Sequence, residues 1–366
     1  MAPNMLTRSI LFSAAATIPT LPSVPAHPTK QPDHCLIDPN CGPIPGESPI
    51  YSSYTGIEAP WPGNTTGAIL PTTTTTPPGT DDLLFQNLLS AEWIIFSFYQ
   101  QGVERFNASS FTAAGFPNTT YAAIREIRNN EAGHLRIFQN QISGASVKPG
   151  PCRYEFPFVD AASYLALQTV IEVSSMAFLT GLELQARSDL ARGALVAIAS
   201  TETRHNTWSL INNWKSSPFA GPSDTYFPYA NQILDYTNSW VVNGSCPAEN
   251  PVYPSPRQGL PRLSAAGAKS VQPGANVTLS VSGGEKPLRF EENQEYYAVF
   301  FHGLLNISVP LDTRTMRVQV PAALEPKGIF EVVLATEEGA PTDDSVVAGP
   351  LVLLEDPAEL GLLLLG

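Results

Sequence analysis

Two Glu-x-x-His tetrads, Glu131 to His134 and Glu202 to His205, stand out among the residues able to do chemistry, together with two glutamates in apolar settings, Glu92 and Glu172. Each interrupts a stripe of apolar residues recurring at intervals of three and four. The stripes are Phe85, Leu88, Glu92, Phe96, Tyr99; Ile124, Ile127, Glu131, His134, Phe138; Leu165, Gln168, Glu172, Ser175, Leu179; and Leu195, Ile198, Glu202, His205, Ser209. Such stripes face the interior of a helical bundle. An ionised carboxylate buried there costs several kcal/mol unless it is paired, and four close together cannot all stay charged without cations among them. Two divalent ions balance four carboxylates and leave two neutral imidazoles as nitrogen ligands. Residues at i and i+3 share a helix face, so each Glu-x-x-His can ligate as a unit. The metal set is therefore Glu92, Glu131, His134, Glu172, Glu202 and His205. One carboxylate from each tetrad is expected to bridge, with Glu92 and Glu172 terminal. Oxygen ligands with two imidazoles suit Fe or Mn better than Cu or Zn. The chemistry to expect is redox cycling with O2 or H2O2. Tyr99, two turns from Glu92, reads either as a radical or hydrogen-bonding residue beside the metals or as core packing. Trp208 reads as packing, and Glu183 as a solvated charge at a helix end.

Four helices are needed to bring these groups together. Helical periodicity runs over 81–101, 119–143, 159–187 and 188–214, with Asn118-Thr119-Thr120 as capping residues for the second and Pro218 stopping the fourth. A shorter fifth helix is expected at 224–242. The ligand separations, 131 − 92 = 39, 172 − 131 = 41 and 202 − 172 = 30, leave room for a full helix between successive ligands. Beyond Pro251 the pattern changes to short runs: Asn276–Val281, Tyr297–Phe301, Met316–Val320, Ile329–Leu334 and Val346–Leu354. Turn residues such as Gly283-Gly284 separate them, which reads as a small Ig-like β-sandwich. The fold class is mainly α, a four-helix bundle (81–250) followed by that sandwich (251–356) and a tail (357–366).

The remaining sequence bears on location. Arg8, the apolar stretch Ile10 to Ile18, and Val24 with Ala26 at cleavage-site spacing read as a signal peptide over 1–26. Residues 27–80, rich in Pro, Gly and Thr, read as a disordered linker. Six Asn-x-Ser/Thr sequons, at Asn64, Asn107, Asn118, Asn243, Asn276 and Asn306, fit a secreted glycoprotein. Four cysteines in an exported chain suggest two disulfides. Cys35 with Cys41 and Cys152 with Cys246 is the pairing preferred among the three possible. A net charge of −13, without clustered Lys and Arg, argues against a nucleic-acid partner. No uninterrupted apolar run reaches the ~20 residues of a membrane span.

The order Glu, Glu-x-x-His, Glu, Glu-x-x-His matches the di-iron and di-manganese carboxylate bundles of the ferritin-like superfamily. Over roughly 81–250 the chain resembles the secreted ferritin-like domain proteins of fungi, described as stress-response or late sexual development proteins. It is also similar to plant desiccation-related proteins. The matching segments are Ala91-Glu92-Trp93, Asn130-Glu131-Ala-Gly-His134, Val170-Ile-Glu172, Ser200-Thr-Glu202-Thr-Arg-His205 and Ser245-Cys246-Pro247. The resemblance implies a bundle able to hold two metals, in a group whose members mostly lack an established activity. Two readings follow. One is a secreted dimetal oxidoreductase acting on peroxide or O2. The other is a non-catalytic stress or cell-wall protein whose metals brace the bundle and whose β region meets a wall glycan or a protein.

Overall fold

The computed structural model describes residues 69–354, apart from 220–223, 266, 269, 286 and 325–328. The signal peptide, nearly all of the linker, Cys35, Cys41, Asn64 and the tail lie outside the described residues. The helical part is built from α1 (Asp82–Arg105), a short α2 (Ala108–Ala113), α3 (Thr120–Gln141), α4 (Ala161–Glu183), α5 (Asp189–Trp208) and α6 (Ala230–Thr237).

The helix ends follow from local chemistry. Asp160 accepts a hydrogen bond from the Ser163 amide at 2.8 Å, closing a capping box at the start of α4. Ser188 caps α5 through the Ala191 amide at 3.1 Å. Asp81, just before α1, accepts from the Arg187 and Ser188 amides at 2.8 and 3.0 Å, which ties the start of α1 to the α4–α5 connection. The capping expected at Thr119 and Thr120 is not what the structure uses. Thr119 makes no side-chain cap bond, and buried Thr120 donates to Asn213 Oδ1 at 3.0 Å instead. A tertiary partner 93 residues away outweighs the local one. α5 ends earlier than expected, and a π-turn, Ser209–Asn213, follows it.

α1 packs on α3 and α4 packs on α5. α4 is long and apolar enough to cross a membrane by length and composition, although Gln168 and Glu172 interrupt it; 89% of its most apolar window is buried inside the protein. Its hydropathy is that of a core helix. Cys152 and Cys246 form a disulfide that joins the loop after α3 to the segment after α6. Asn250 reinforces the junction, accepting from the Gly150 amide and donating to the Gly150 carbonyl at 2.9 and 2.7 Å.

The C-terminal region is antiparallel β structure. One sheet has the order β5 (Leu305–Pro310), β4 (Tyr297–His302), β7 (Ile329–Ala335), β8 (Val346–Leu354). Two further pairs are β1 (Arg262–Ser264) with β3 (Ser280–Ser282), and β2 (Asn276–Thr278) with β6 (Arg317–Gln319). Side chains alternate across the larger sheet, as the period of two requires. Val299, Phe301, Val333 and Ala335 join the helical core. Ala298, Phe300, Val332 and Leu334 face a second core with Leu263, Val277, Leu279 and Val318. Both faces of β4 and β7 are buried, which is why they read as nearly continuous apolar runs. β1 and β5 were not among the expected strands. β1 has only three residues, and β5 is an edge strand whose Leu305 and Asn306 are exposed. The run 276–281 divides into two strands that pair with different partners.

Candidate metal centre

The helices bring all six predicted side chains into one buried cluster. Each is 5% exposed or less. His134 Nδ1 lies 2.9 Å from Glu131, 3.3 Å from Glu202 and 3.8 Å from Glu92. His205 Nδ1 lies 3.1 Å from Glu131, 3.3 Å from Glu172 and 3.4 Å from Glu202. The arrangement is nearly two-fold. Glu131 turns Oε2 to His134 and Oε1 to His205, while Glu202 turns Oε1 to His134 and Oε2 to His205. Glu92 stands only near the first imidazole and Glu172 only near the second. Potential ligand atoms of Glu92, Glu131 and His134 lie within 4.8 Å of one another, as do those of Glu131, Glu172, Glu202 and His205.

Electrostatics in the metal-free cluster splits the acids. Burial, then repulsion from Glu131, holds the Glu92 carboxyl well above its usual range. Burial raises Glu172 likewise, with Glu202 adding to it. Glu131 and Glu202 are also pushed up by burial, but the imidazoles reverse the sign and both end below the ordinary value. Burial alone would neutralise His134 and His205; the carboxylates overcome it and raise both well above 6.5. The cluster therefore balances its charge with protons.

That balance leaves groups without partners. Glu92 Oε1, Glu131 Oε1, Glu172 Oε2, both Glu202 oxygens and both His205 ring nitrogens have no aligned hydrogen bond among the described residues. The approaches of 3.1–3.4 Å around His205 are close in distance but not in direction. Buried polar atoms are rarely left so. Carboxylate oxygens and imidazole nitrogens converging without hydrogen bonds fit bound metal cations.

Tyr99 is fully buried and donates its hydroxyl to Glu172 Oε1. It belongs to the surroundings of the cluster and packs edge-on against Phe98 as well. Trp208 is half-buried against the helical core. Glu183 is far from the cluster, half-exposed and 3.9 Å from Arg192. Two polar groups flank Glu172 on α4 that sequence reading placed only on the stripe: Gln168 and Ser175, both buried. The available signal was that α4 carries three polar residues on its inward face where an apolar helix needs none.

Residues 80–212 match the sequence profile of the ferritin-like domain. No curated protein matches the chain. The chain thus carries a ferritin-like domain with a buried Glu/His cluster able to bind metal, and the matched residues include all six members of the cluster.

Proposed function

We propose that the cluster is a carboxylate-bridged dimetal centre, with two Fe or Mn ions, in a secreted protein of oxidative-stress or related redox function. Glu131 and Glu202 would be the carboxylates shared between the two ions, because each already turns one oxygen toward each imidazole. Glu92 with His134, and Glu172 with His205, complete the two ends. This two-fold sharing of Glu131 and Glu202 is the observation that carries the reading. Two such ions, when bound, supply electron steps between the +2 and +3 states to O2 or H2O2. The chain's own contribution is to fix the ligands on four rigid helices, to exclude bulk water, and to orient Glu172 through Tyr99.

Purified protein loaded with Mn(II) or Fe(II) should evolve O2 from H2O2 well above a Glu131→Ala control. Equal rates reject the peroxide-scavenging version. The near-complete burial of the cluster favours one alternative, a structural metal pair in a non-catalytic stress or wall-associated protein. In that case ligand substitutions lower the melting temperature and turnover is nil.

Location follows the same pattern of support. Asn107, Asn118, Asn243, Asn276 and Asn306 are all exposed, as glycosylation requires, and the Cys152–Cys246 bond suits an oxidising compartment. Secretion, with the cell wall as one destination, and kinship with the fungal stress-response and plant desiccation-related proteins are parts of this reading. The second core, between the four-stranded sheet and the smaller pairs, supports an Ig-like sandwich. Its outer surface is the place for a glycan or protein partner. Shift of the purified chain on deglycosylation tests the secretory half.

A further inference from the structure

α4 carries polar groups on the face of Glu172 that the proposed metal set does not use. Tyr164, Gln168 and Glu172 follow at intervals of four, so their side chains stack along one side of the helix. Tyr164 and Gln168 are completely buried. The Tyr164 hydroxyl and both polar atoms of Gln168 have no hydrogen-bond partner among the described residues. Packing nearby does satisfy such groups. Thr169, the next residue, meets Ser209 Oγ at 3.2 Å and accepts from Trp214 Nε1 at 3.2 Å. A buried amide with neither end bonded is exceptional beside that.

The two groups are also held in place. The Tyr164 ring stacks on Phe98 at 4.5 Å. Gly102 on α1 leaves the room it needs, since a Cβ there would come within 2.3 Å of the ring. Tyr99, whose hydroxyl donates to Glu172, and Tyr164 pack against the same Phe98 ring. Gln168 lies between Tyr164 and Glu172 on the helix.

We infer that Gln168 and Tyr164 bind a small neutral oxygen ligand beside Glu172: water at rest, and hydrogen peroxide when it is supplied. The class follows from the donors and acceptors. The amide offers both, and so does the phenol. A matching ligand must donate and accept; O2 donates nothing, and an anion would bring an unpaired charge into a fully buried site. The peroxide half rests on the metal-centre reading above, whereas the water half does not.

High-resolution crystal structures of the full chain, metal-free and metal-loaded, test it. The expected result is an ordered oxygen within about 3.2 Å of both Gln168 and Tyr164, lost in Gln168→Met. A dry site, or a Gln168 amide bonded only to protein groups, overturns the inference. An ordered oxygen in a chain that takes up no metal would defeat the metal centre and leave the water site standing. In loaded protein, Gln168→Met and Tyr164→Phe should each raise the KM for peroxide about tenfold, the loss of one hydrogen bond, with metal content unchanged. An unchanged KM, or a loaded protein that never consumes peroxide, overturns the peroxide half.

Discussion

Loading the metal-free protein with Mn(II) should expel about four protons per pair of ions, and the count comes from the charges of the cluster. Without metal, His134 and His205 are raised toward the cationic form, Glu92 and Glu172 toward the neutral acid, and Glu131 and Glu202 toward the carboxylate. Two positive and two negative charges sum to zero. With two divalent ions, four carboxylates contribute four negative charges, the imidazoles are neutral, and the sum is again zero. The difference is two protons from the histidines and two from the glutamic acids. Two protons per ion make the affinity of each ion fall about a hundredfold for each pH unit of acidification, or roughly 2.7 kcal/mol. Titration calorimetry in buffers of different ionisation enthalpy, near pH 6.5, counts the protons directly. Glu92→Gln and Glu172→Gln should each release about one fewer. Release of no more than about one proton per pair, or an affinity flat with pH, refutes the electroneutral account.

Other consequences can be read without adding metal. The metal-free chain should lose stability as pH rises above 6.5, because His134 and His205 have raised folded-state values and the folded form then binds more protons than the unfolded one; melting curves between pH 6 and 9 check the sign. Glu331, buried on β7, is pushed up by burial to about 8 from an ordinary 4.5. Its folded form is the neutral acid, so stability is fully present below pH 4.5 and is lost toward pH 8, by up to about 5 kcal/mol across that window. Glu331→Gln should therefore raise the melting temperature at pH 8 and leave it nearly unchanged at pH 4. The Cys152–Cys246 bond closes a separation of 94 residues, and its removal by Cys152→Ser with Cys246→Ser should cost about 2–5 kcal/mol in denaturant unfolding.

Much of the cluster is legible in the sequence because a buried ligand must be polar where the helix face demands an apolar residue. Glu92 between Ala91 and Trp93, and Glu172 between Ile171 and Val173, break the stripe in this way. The i, i+3 spacing then promotes Glu131, whose neighbours Asn129 and Asn130 would otherwise place it at the surface. What stays hidden depends on partners distant in sequence. Thr120 looks like a cap and instead bonds Asn213 across the bundle. The π-turn after His205 has no local signature. β1 and β5 are short or exposed, so alternation over a few residues does not announce them, while β4 and β7 lose their alternation because both faces are covered. Gln168 sits on the predicted stripe, but only the structure shows both ends of its amide without protein partners.

The central claim is that these six side chains are a site for two metal ions. Elemental analysis of the purified chain, with anomalous diffraction at the metal edges, tests it most directly. The account predicts about two Fe or Mn ions per chain, flanking Glu131 and Glu202, and their loss in Glu131→Ala. A metal-free native protein that stays empty after reconstitution, or ions bound elsewhere and indifferent to Glu131→Ala, would contradict it.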